Sequence, residues 1–209
     1  MGFTTGIRTR TASLVVGVAL LGGATLVAPA GAVTPPPVNG VGTVTCSVKA
    51  TLKFSRALRY PGTVQPTTIT LVSNLTLCSG TGDGARIKSG KSTVITTADT
   101  NDCITLLNSG QAGNGTGDIK WTILPHTSPK LLNSTVTFTS TSVNPGPPSI
   151  TNDSSGSTTA GSFNGDPAAA HSVLKQTFAQ LSKSCTTNGL STITIISPGS
   201  TFTLSSAPA

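Results

Sequence analysis

The chain has 209 residues, 13 Lys and Arg against 6 Asp, no Glu, two His, and a formal net charge of +7. The lack of Glu confines acid–base chemistry to a few Asp and His side chains. The few charges are scattered along the chain, so no nucleic-acid partner is expected, and abundant Thr, Ser, Gly and Val with few helix formers favour strands over helices.

Residues 1–32 read as a secretory signal peptide. Arg8 and Arg10 precede the apolar run "ASLVVGVALLGGATLV" (Ala12 to Val27), and Ala28, Ala30 and Ala32 supply the small residues of a cleavage site. The run is about 16 residues long and broken by Gly, against the roughly 20 needed to span a bilayer. Cleavage after Ala30 or Ala32 would leave no transmembrane anchor and a secreted, extracellular or envelope-associated product. Residues 33–41, "VTPPPVNGV", read as an extended Pro-rich spacer, and residues 42–209 as one domain.

Six apolar residues from Val44 to Phe54 alternate with Thr45, Ser47, Lys49, Thr51, Lys53 and Ser55, which predicts a half-buried strand. Thr67 to Leu77 is the second strand, "SGTGDG" a turn, and Arg86 to Thr97 a weaker strand. "GARIKSGKS" lacks the first glycine of a phosphate loop, since position 85 is Ala, and reads as a turn. In "DIKWTILPH", Ile119, Trp121 and Ile123 share one face of a strand ended by Pro125, which makes Trp121 a core residue and leaves His126 in an exposed turn. Phe138 and Val136 belong to the core face of the next strand. "SVNPGPPSITNDSSGSTTAG" reads as a long polar loop, where a binding function would most easily sit. Asp166-Pro167 suits a helix start, although a strand fits equally before Gln176; a short helix is expected near Thr177 to Ser184. Leu190 to Ile196 and Thr201 to Leu204 complete the set. The fold class expected is an all-β, disulfide-stabilised antiparallel β-sandwich with one short C-terminal helix.

Four cysteines in an exported chain predict two disulfides rather than a metal site, since no CxxC or neighbouring His pair occurs. Cys46 and Cys78 lie symmetrically about Pro61-Gly62, as hairpin partners would, which leaves Cys103 to Cys185. Cys78 is out of phase with Ile69, Leu71, Leu75 and Leu77, which leaves either a bulge or another partner open for it.

The segments "TCSVKATLKFS", "LCSGTGDGARIKSGK", "NDCITLL", "IKWTILP", "LLNSTVTFTS", "AGSFNGD" and "SCTTNGLSTITI" together resemble a family of small, functionally uncharacterised secreted actinobacterial proteins. The resemblance implies secretion and a β-rich fold, and supplies no catalytic residues.

No catalytic, cofactor or metal residues are assigned. There is no GxSxG, nothing in the sequence ties His126 or His171 to a serine, and all six Asp fall in or beside turn-forming stretches. "DTND" (Asp99 to Asp102) has oxygen ligands but not a full calcium loop. The expectation is a non-enzymatic secreted module, with a cell-wall or carbohydrate binder as alternative and a secreted hydrolase behind it. Its positive charge, spread along the chain, would favour anionic cell-envelope polymers.

Overall fold

The computed structural model describes residues 36–206, apart from 64, 110–114 and 147–148. The signal-peptide reading and the first three residues of the spacer lie outside these. Nine strands follow in chain order: β1 (Val44–Leu58), β2 (Thr67–Gly80), β3 (Ile87–Ala98), β4 (Gly115–Ile123), β5 (Ser134–Asn144), β6 (Thr151–Gly161), β7 (Pro167–Val173), β8 (Leu190–Ile195) and β9 (Thr201–Leu204). A 3₁₀ turn, Gly82–Arg86, links β2 to β3, and two helices, α1 (Cys103–Ser109) and α2 (Phe178–Thr186), precede β4 and β8.

All the strand pairings are antiparallel, and eight strands close on themselves in the order β1-β2-β3-β4-β5-β6-β7-β9. The fold is therefore a barrel, not the sandwich expected. Alternation tells which face of a strand is dry and is identical in the two architectures; what decides is whether the first strand also pairs with the last. The length of β1 makes this possible. Its first residues, Val44 to Ser47, pair with β9, while Ala50 to Leu58 pair with β8, which stands outside the eight-stranded cycle. β8 is tied in turn to the end of β7 through Lys175 N–H to Thr194 and Ile196 N–H to Val173.

Inward-facing residues form two clusters. One holds Val44, Val48, Ile119, Val136, Phe163 and Leu204, with Trp121, Ile123 and Phe138 partly buried against it. The other, around Phe54, Leu58 and Ile150, takes in Cys103, Leu181 and Cys185 from the helices. The outward positions of β1 to β5 are Thr, Ser, Lys and Asn with scattered exceptions such as Val72 and Ile95. This polarity is the reverse of a lipid-facing barrel. Among the described residues, no helix is long and apolar enough to cross a membrane.

The chain departs from the sequence reading at four more places. The spacer's residues 38–41 are bonded into the fold, with Val38 bridging to Leu131 and Gly40 accepting from Phe163 N–H. "GARIKSGKS" ends the 3₁₀ turn and runs into β3, where Gly90 pairs with Trp121. A Cβ on Gly90 would lie 3.0 Å from the indole ring, which is why a side chain is missing there. Thr151 to Gly161, expected as loop, is β6. Of the two readings open before Gln176 the strand is the one formed, β7 at Pro167–Val173, and α2 begins where a helix is expected, after Thr177, whose hydroxyl accepts from Gln180 N–H in a capping box. Helix α1, too short and weakly patterned to signal itself, was not anticipated.

Candidate functional site

The barrel is not filled. A cavity of about 160 Å³ lies in the half beneath the helices, and a smaller hollow of about 40 Å³ adjoins it, sharing Leu71, Val94, Phe138, Ala170, Ser172 and Ile195 in its lining. Eight strands give an interior just wide enough to be packed with side chains or to hold one small ligand. Here local side-chain size decides between the two. β1, β2 and β8 send in Leu52, Phe54, Ile69, Ile193 and Ile195, whereas β6 and β7 send in Asn152, Ser154, Ala170 and Ser172. Large residues on one wall face small ones on the other, and the hollow is the unfilled difference.

The lining is apolar with a polar strip. Thr141 on β5 and Ser154 on β6 are direct cross-strand partners with their hydroxyls 3.2 Å apart, and Ser154 donates to Asn152 Oδ1 at 3.3 Å. Thr96 and Ser172 add hydroxyls. The strip offers donors and acceptors at one side of an otherwise greasy chamber, the arrangement that orients a mostly apolar guest.

Helix α1 reaches the cavity through Leu106. Asp102 caps this helix by accepting from Thr105 N–H at 2.8 Å, and its other oxygen accepts from Gly62 N–H at 3.0 Å. The Thr105 amide is the main reason that the Asp102 carboxyl sits below its ordinary value, against a smaller upward push from burial; the Gly62 amide lowers it further. Arg59 N–H to Asn101 and Cys103 N–H to Arg59 fasten the same segment to the end of β1. Asn101 Oδ1 accepts from the Thr63 amide and hydroxyl. The oxygens of Asn101 and Asp102 in "DTND" are thus taken up by the chain itself, and no group of three His, Cys, Asp or Glu gathers among the described residues.

Disulfides join Cys46 to Cys78 and Cys103 to Cys185, the second linking α1 to α2. The first uses a bulge: Thr45 pairs with Ser79 but Ser47 with Thr76, so Leu77 and Cys78 together oppose Cys46. Of the residues read as core from sequence, Ile119 is buried and Trp121, Ile123 and Phe138 are partly buried, with Phe138 also lining the cavity. Trp121 does not line it. Its ring meets Phe163 edge-on at 6.1 Å and its N–H donates to Ser134 Oγ at 2.7 Å.

His126 is exposed in a turn. His171 on β7 faces Asp153 on β6, Nδ1 to Oδ1 at 2.6 Å, and Thr201 on β9 is its partner on the other side. Asp153 on β6 and Asp118 on β4 lie within strands, in stretches whose Gly, Ser and Asn content reads as turn-forming in the sequence. The His–Asp pair stands on the outer wall with side chains 42 % and 57 % exposed. Sequence reasoning missed Asn152, Ser154 and Ser172, because polar side chains at inward positions interrupt the apolar alternation that marks the dry face of a strand.

No family model, curated protein or solved structure matches the chain.

Proposed function

We propose that the protein is a non-enzymatic binding protein, secreted into an oxidising compartment, that holds one small and largely apolar molecule inside its barrel. The observation that carries this reading is the cavity of about 160 Å³ with its apolar wall and Thr141–Ser154–Asn152 strip. A dry cavity of about 150 Å³ is large enough for a benzene-sized guest. The water-facing outer wall and two disulfides suit a carrier in an extracellular setting.

A hydrolase is the weaker reading. The Asp153–His171 pair lies on the outer face, away from the cavity, and the hydroxyl next to His171 in its row belongs to Thr201 on β9. A nucleophile needs an adjacent base and an oxyanion site in a water-excluding pocket.

Native mass spectrometry of the protein purified from its own culture medium, followed by solvent extraction, tests the proposal. A retained apolar molecule of one or two rings or a short chain is the expected result. Protein that neither retains such a molecule nor takes one up on exposure overturns it.

A further inference from the structure

Four exposed residues far apart in sequence fall into one row on the outer wall. Lys49 on β1 pairs with Asn74 on β2, Asn74 with Lys91 on β3, and Lys91 with Lys120 on β4. With strands about 4.8 Å apart, the row spans about 14 Å. Lys53 lies further along β1 on the same face, and Lys88 three residues before Lys91 on β3, both exposed. The acidic group on this stretch of wall is Asp118, which accepts from Thr135 Oγ1 at 2.8 Å. Neither ion pair among the described residues involves these lysines. The positive charge, spread along the chain in sequence, is gathered by the register.

Folding does not explain this arrangement. Like charges placed directly opposite on neighbouring strands destabilise a sheet, and Lys91 and Lys120 are such a pair. These strands are interior to a closed barrel, so the lysines do not guard an edge against aggregation either. A row of cations that weakens the sheet is explained by something that neutralises it.

We infer that the outer face of β1 to β4 binds a linear acidic polysaccharide along the Lys49–Asn74–Lys91–Lys120 row. The charges are all Lys, mobile point charges that follow a flexible chain of carboxylates, where Arg would impose a fixed two-pronged geometry. Between and beside them stand an amide, Asn74, and the hydroxyls of Thr76, Thr93 and Thr122, partners for sugar hydroxyls. The row and its neighbours present no aromatic ring, the stacking platform that single-stranded nucleic acid uses. This inference is independent of the cavity.

The test is binding of the secreted chain to immobilised polygalacturonate across a salt series. Wild type should bind at low ionic strength and release as salt rises. Lys49→Gln/Lys91→Gln/Lys120→Gln should weaken binding at least tenfold and flatten the salt dependence. Lys130→Gln/Lys175→Gln/Lys183→Gln, which removes the same charge from exposed sites elsewhere, should stay within about twofold of wild type. Equal weakening in both variants would mean that net charge alone is read, and would overturn the inference. So would no binding by wild type, or binding to linear polyphosphate or duplex DNA as tight as to polygalacturonate.

Discussion

Cys46 reaches Cys78 because β2 carries one extra residue, Leu77, beside Cys78 and opposite Cys46. Leu77 takes the strain: its φ is +50° and its side chain is 82 % exposed. A left-handed conformation costs a residue with a Cβ about 1 to 2 kcal/mol, and Leu77 recovers nothing by burial.

Leu77→Asn should therefore leave the disulfide intact and stabilise the protein by up to about 1 kcal/mol, a rise of roughly 2 to 4 °C in thermal midpoint for a domain of this size. Calorimetry of the oxidised proteins measures this; a clear fall in the midpoint would show that Leu77 is needed where it stands.

Trp121 and Ser134 are joined by a hydrogen bond in the barrel wall. Ser134 is fully buried; its hydroxyl accepts from the indole N–H and donates to the Ser162 carbonyl at 2.7 Å. Ser134→Ala strands both partners and should destabilise by about 1 to 3 kcal/mol. Trp121→Ala, which also removes the edge contact with Phe163, should cost about 3 kcal/mol or more. Denaturant unfolding gives both values, and a near-neutral Trp121→Ala would place the ring outside the core.

Acid should loosen the helices over the cavity through Asp102. Its folded pKa is depressed, so as pH falls the unfolded chain takes up the proton first. The stabilisation is complete above the ordinary carboxylate value and is lost as pH drops through the folded one. Wild type should thus exceed Asp102→Asn in stability at neutral pH, with the difference shrinking below the ordinary carboxylate range. A difference that does not change with pH would contradict the capping role.

Legibility followed chemistry. β1 announced itself through six apolar residues at period two, and α2 through the helical spacing of Phe178 and Leu181. β6 did not, because its inward positions are Asn152, Ser154 and Gly156, polar or small. Gly156 is required there, since a Cβ would fall 2.0 Å from the Thr137 carbonyl oxygen. The feature that disguised β6 as a loop is also what leaves the barrel hollow: the site was hidden by its own composition. Closure into a barrel and the alignment of Lys49, Lys91 and Lys120 are matters of register between distant strands, which alternation along one strand does not encode.

That the barrel's interior is a binding site can be read residue by residue in a titration of the isotope-labelled protein with indole, followed by amide and methyl resonances. Indole is an apolar bicycle with one donor for the Asn152–Ser154 strip. The expected result is saturable shifts confined to the cavity, at Val94, Phe138, Ala170 and Leu174, and their loss in Ala170→Phe, which fills the space shared by the two hollows. No shifts, or shifts on the outer wall that persist in Ala170→Phe, would contradict it.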